Sequence, residues 1–116
     1  MMEQMTDMKS QENEVLELVM FRLKADTDPK QFIAAAGILE QLLANQIPGF
    51  VRRSLLCTED GTSWTDLISW KDMQSAVSAL KQLPATVEFK NFASMIDPQD
   101  MVMRHLIPAQ KWGTES

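Results

Sequence analysis

The stretch VLELVMFRLK, residues 15–24, decides the fold. Val15, Glu17, Val19, Phe21 and Leu23 occupy one set of alternating positions, and Leu16, Leu18, Met20 and Arg22 the other. A period of two with β-branched and aromatic residues marks a strand. Both of its faces, however, are largely apolar. A sheet with one wetted face alternates cleanly between apolar and polar residues, so this strand is expected to be covered on both sides. Glu17 and Arg22 then each need a partner, because an unmatched buried charge is costly.

Outward from this strand, Asp26-Thr27-Asp28-Pro29 is a helix start: Asp28 can accept from a first-turn amide, and Pro29 loses nothing at the first helical position. Phe32, Ala35, Ala36, Leu39, Leu42 and Leu43 form one apolar stripe, and Pro48-Gly49 ends the segment. Phe50 to Thr58 and Ser63 to Trp70 read as strands joined by Glu59-Asp60-Gly61-Thr62, where Asp-Gly supplies the positive φ angles of a tight turn. Asp72 caps a second helix with Met73, Ala76, Val77 and Leu80 as its stripe, interrupted at Pro84. A further helical segment, capped by Thr86, sets Phe89, Phe92 and Ile96 on one side. After Asp97-Pro98 comes a last strand, about Asp100 to Ile107, again greasy on both faces.

The order β-α-β-β-α-β, with right-handed crossovers, gives a ferredoxin-like α+β fold: an antiparallel sheet with the first and third strands central and the helices on one face. The chain has no further element for the other face, so a second copy is the expected cover and the protein a homodimer. Residues 14–107 form the domain; 1–13 are expected to be a mobile tail and 108–116 a C-terminal tail carrying Trp112.

Composition excludes several functions. A net charge of −5, with Arg52-Arg53 the one basic doublet, argues against nucleic acid. No stretch approaches the roughly twenty apolar residues of a membrane span, and the polar start lacks the pattern of a secretory signal. The single cysteine, Cys57, has no internal partner, which fits a reducing, cytoplasmic location. No paired metal-ligand spacing, phosphate-cradling Gly loop or nucleophile elbow is present. No cofactor or metal is expected, and the nine methionines read as gap fillers.

The pattern resembles the dimeric α/β-barrel superfamily, and its antibiotic-biosynthesis-monooxygenase-like branch in particular. The matching residues are Pro48-Gly49-Phe50 opening the second strand, Trp70 ending the third, Lys71-Asp72-Met73 with the helix that follows, and Phe89-Lys90-Asn91-Phe92 before the last strand. The similarity spans about residues 14–107 through short, degenerate motifs. It implies a barrel closed by two sheets, a pocket between each sheet and its helices, and cofactor-independent oxygenase chemistry. Heme-degrading relatives pair this tryptophan with an asparagine on the first strand and a histidine before the last. Neither stands here, so that activity does not carry over.

Four residues are candidates for chemistry. His105, the one histidine, is either a general acid or base or a half-buried, hydrogen-bonded strand residue. Asp66 shares a strand face with Trp64, Ile68 and Trp70; it is either a proton-transfer group or the partner of Arg52 or Arg53 across the hairpin. Trp64 and Trp70 either wall a substrate pocket or anchor the packing. Two functions follow: a cofactor-independent monooxygenase acting on an aromatic, polyketide-like small molecule, or a non-catalytic dimeric module that binds a small apolar ligand.

Overall fold

In the computed structural model, which describes residues 13–114, the stretch 15–24 supplies a central strand, β1 (Val15–Leu23). It is followed by α1 (Pro29–Gln46), β2 (Phe50–Cys57), β3 (Trp64–Trp70), α2 (Met73–Gln82), a 3₁₀ turn (Leu83–Ala85), α3 (Val87–Ser94) and β4 (Ile96–Leu106). The four strands form one antiparallel sheet in the order β2-β3-β1-β4, with β1 and β3 central as the topology rules require. The mobile tail expected at 1–13 lies, apart from Asn13, outside the described residues.

Local chemistry sets the element ends. The Asp28 carboxylate accepts from the Lys30 amide at 2.9 Å, and Pro29 opens α1. The α1 stripe is buried as its spacing predicts: Phe32, Ala35, Ala36, Leu39, Leu42 and Leu43. Gly49 takes φ +85° in the turn into β2, and its carbonyl accepts from the Lys71 amide at 2.8 Å, tying the start of β2 to the end of β3. In the β2–β3 hairpin only Gly61 has positive φ (+74°). Asp60 instead accepts from the Thr58 and Thr62 hydroxyls and the Thr62 amide, which holds its carboxyl down at about 2.

Three expectations are corrected. The α2 stripe is narrower than its pattern, because Ala76 and Ala79 are buried whereas Met73, Val77 and Leu80 are exposed. The helix lies close to the sheet on its small residues, and the larger ones stand to the side. The last strand begins at Ile96, before Pro98, so Ile96 is a strand residue and not part of the α3 face. Proline is tolerated there because β4 is an edge strand and a ladder hydrogen bond is missed at no cost to a neighbour. Arg22 is exposed, and among the described residues it makes no ion pair.

The sheet has one covered and one bare face. Register and alternation put Val15, Glu17, Val19 and Phe21 with Trp64, Asp66, Ile68 and Trp70 under the helices. Phe32 is the hub of this core, with ring centroids 5.7 Å from Phe21, 5.2 Å from Trp64 and 4.9 Å from Phe92. The opposite face carries Leu16, Leu18, Met20, Leu67, Leu56, Val102 and Leu106. Met20, Leu56, Val102 and Leu106 are each between 37% and 49% exposed, a high value for apolar residues on strands.

Candidate functional site

Where β1 pairs with β4, the register passes from Met20↔Val102 to Arg22↔Asp97, so residues 98–101 bulge out of the ladder. Asp100 sits in the bulge at φ +62°, and the Asp97 carboxylate holds the Gln99 amide at 2.9 Å. Pro98 and Met101 of this bulge, with Pro84, which breaks the helical run between α2 and α3, border a cavity of about 320 Å³ between the sheet and the helices.

Phe21 and Ile68 form its floor, and Leu39 and Leu43 of α1 one wall. Leu83, Pro84, Phe89 and Phe92 form another, with Met101 and Met103 of β4 opposite. Three ionisable side chains interrupt this apolar lining: Glu17, Arg53 and Asp66.

Arg53 and Asp66 form a fork: Nε donates to Oδ1 at 2.8 Å and Nη2 to Oδ2 at 2.9 Å. Nη1 donates to the Ala36 carbonyl at 2.9 Å, the Glu40 carboxylate stands 3.8 Å from it, and the guanidinium carbon lies 5.1 Å from the Phe92 ring centre. The Arg53 side chain is 4% and that of Asp66 5% exposed. A pair this buried survives desolvation only through such bidentate and backbone partners. Of the two roles expected of Asp66, the structure places it in the pair with Arg53.

His105 lies directly opposite Glu17 in the β1–β4 ladder, and its Nε2 is 2.9 Å from Glu17 Oε1. Glu17 is on the cavity wall; the imidazole beside it does not line the cavity and is partly open to solvent. The sequence reading missed this dyad as a dyad. The available signal was Glu17 itself, a charge at an alternating position of a greasy strand, but its partner depends on a register across 88 residues.

Trp64 and Trp70 are core residues and neither lines the cavity. Trp64 packs edge-on to Phe32, and Trp70 edge-on to Phe50, with its Nε1 unpartnered among the described residues. The structure therefore brings Asp66, Arg53 and Glu17 to one cavity, with His105 bonded to Glu17, and leaves the two tryptophans in the core at either end of β3, on the same face but off the cavity.

A second polar cluster borders the bare face. Glu14 accepts from Arg52 at 3.2 Å, from Lys111 at 2.5 Å and from the Ser69 hydroxyl. These bonds, that of Lys111 foremost and Ser69 next, hold its carboxyl below the ordinary carboxylate range. They also pin the C-terminal segment beside the sheet, leaving Trp112 exposed. Among the described residues, no helix is long and apolar enough to cross a membrane and no cluster of His, Cys, Asp and Glu is arranged to hold a metal ion.

No protein-family profile matches the chain, and no curated protein does. Solved structures do match. SnoaB, a cofactor-independent oxygenase from Streptomyces nogalater, superposes with a TM-score of 0.71 and 21% identity over 85% of this chain and 96% of that one. A monooxygenase of Streptomyces coelicolor, solved in complex with nanaomycin D, gives 0.69 at 15% identity over 90% and 95%. A hydroxynitrile lyase from Passiflora edulis gives 0.63 at 17% identity over 88% and 99%. The chain thus has the ferredoxin-like α+β fold of the antibiotic-biosynthesis monooxygenases, a fold that also serves a lyase. At such identities the likeness carries the architecture, and function has to be argued from the site.

Proposed function

We propose that this protein is a cofactor-independent oxygenase of a flat, electron-rich aromatic, bound in the cavity between sheet and helices, and that it works in the cytoplasm as a homodimer closed over the bare sheet face. One observation carries the reading: an apolar cavity of about 320 Å³ in which a few ionisable groups converge, the usual form of a small-molecule site. In this chemistry an anthrol- or quinol-type substrate, once deprotonated, is itself the reductant of oxygen. One oxygen atom enters the ring, two hydrogens leave it, and the second oxygen departs with them as water. The protein supplies shape, exclusion of water and a proton acceptor. His105 takes part through Glu17, while Asp66 fixes the Arg53 guanidinium in the wall. Trp64 and Trp70 stiffen the core on either side of the floor residue Ile68.

A second reading, a binding module without turnover, draws support from the Arg53–Asp66 fork, which occupies both carboxylate oxygens of one expected catalytic residue. Oxygen-electrode assays with a panel of anthrols and quinols, without added cofactor, separate the two. Uptake with a product one oxygen richer and two hydrogens poorer is expected. Tight binding without uptake across the panel would leave the module.

A further inference from the structure

We propose that Glu17 is the proton acceptor of the cavity and that His105 positions it, so that the ligand enters as a neutral hydroxyaromatic and not as an anion. The inference rests on the small-molecule reading of the same cavity, and it assigns to Glu17 the step that sequence reasoning gave to His105 and Asp66.

Three acid–base groups surround the cavity, and two are otherwise engaged. Both oxygens of Asp66 take guanidinium hydrogens from Arg53. His105 is off the wall, and its ring bonds Glu17 Oε1 at 2.9 Å. An ionised carboxylate only accepts, so Nε2 carries the hydrogen of this bond and the ring fixes the carboxylate in one rotamer. Glu17 Oε2 has no partner among the described residues, yet it is not sealed off from open space as the Trp70 Nε1 is. It is the one carboxylate oxygen of the wall left for a ligand.

Charge points the same way. Arg53 is offset by Asp66, with Glu40 at 3.8 Å, so the wall has no cation left over for an anionic ligand. A ligand carboxylate would meet Glu17 across an apolar, weakly screening space. A neutral hydroxyl meets an acceptor. In the step itself, Glu17 Oε2 takes the acidic proton, from the hydroxyl or, in an anthrone, from the ring CH2 opposite the carbonyl; that bond to hydrogen breaks, its electron pair stays on the ligand, delocalised onto the oxygen, and the carboxylate becomes the acid. The resulting aryloxide lies in the cavity that Arg53 also lines. The transfer changes no oxidation state and needs no oxidant.

The test is an anaerobic absorbance titration with dithranol, a tricyclic hydroxyanthrone whose anion absorbs at longer wavelength than the neutral form, alongside anthracene-2-carboxylate. Wild type is expected to bind dithranol with growth of the anion band, and to bind the carboxylate about tenfold more weakly. Glu17→Gln, isosteric and still able to bond His105, should bind dithranol but lose the band about tenfold or more. His105→Gln keeps an N–H near the Nε2 position and should retain the band, whereas His105→Phe should lose it; thermal melts verify that each variant is folded. A band that persists in Glu17→Gln, a wild type that leaves dithranol neutral or unbound, or one that prefers the carboxylate overturns the proposal. Oxygen uptake separates it from the functional reading. An anion band without uptake removes the oxygenase and keeps Glu17; uptake unchanged in Glu17→Gln removes Glu17 and keeps the oxygenase.

Discussion

Arg53 and Asp66 are legible in the sequence as opposite charges on two strands of one hairpin, and their pairing across it was one of two readings of Asp66. Sequence does not tell that the Arg53 side chain is 4% exposed, which raises the stakes of the pair. Arg53→Met leaves Asp66 buried without its counter-charge and is expected to destabilise the chain by about 3–5 kcal/mol in urea unfolding. Arg53→Met with Asp66→Leu should recover most of that loss, since an apolar pair needs no solvation. A single-variant cost below about 1 kcal/mol would mean that the pair is wet. Glu14 makes a different prediction. Its carboxyl is held low, chiefly by the hydrogen bond from Lys111. A depressed folded value contributes stability above the unfolded-chain value and loses it as pH falls through the folded one. The segment around Lys111 should therefore detach only below the ordinary carboxylate range. Amide exchange of residues 109–113 measures this, and Glu14→Gln should remove the pH dependence.

Elements are held to one another at a few points where sequence shows the residue but not its neighbour. Gly49 is one. Its φ of +85° is the glycine region, and a Cβ there would lie 2.1 Å from Ser75 Oγ. Ser75 cannot swing aside freely, because its amide and hydroxyl both donate to the Asp72 carboxylate, at 2.8 and 2.7 Å, as the cap of α2. Gly49→Ala is thus expected to cost at least about 2 kcal/mol in thermal or urea unfolding, the backbone term alone being roughly 1–2. Adding Ser75→Gly should relieve the clash and leave the backbone term, and an unchanged melting point in the single variant would refute the close approach. The caps Asp28, Asp72 and Thr86 were readable because capping acts over three or four residues. The bulge at 98–101 was not, because it is a mismatch between β4 and a distant strand. Pro98 and Met101 of that bulge line the cavity.

At the scale of the molecule, the bare face carries Leu16, Leu18, Met20, Leu56, Leu67, Val102 and Leu106 among a few polar residues such as Ser54, Thr65 and Arg104. A twin subunit is the proposed cover, as a stable interface needs about 1,000 Å² or more of shared surface. Leu18 is central, paired with Leu67 on one side and Arg104 on the other. Leu18→Arg is expected to yield a monomer in sedimentation at micromolar concentration while wild type sediments as a dimer. A monomeric wild type would remove the dimer from the functional reading. The cavity belongs to the opposite, helix-covered face, so ligand binding in Leu18→Arg would report how far closing the barrel tightens the site.

Alternation, caps and turn residues act between near neighbours, and they determined the elements, their order and the face of β3 shared by Trp64, Asp66, Ile68 and Trp70 without any structure. The tertiary structure alone decided that Glu17 meets His105, that Asp66 is spent on Arg53, and that the tryptophans are buried in the core beside a cavity they do not line. Those outcomes depend on strand register, on a bulge and on the closeness of helix to sheet. Each is set by the packing of residues far apart in the chain, which no local pattern encodes.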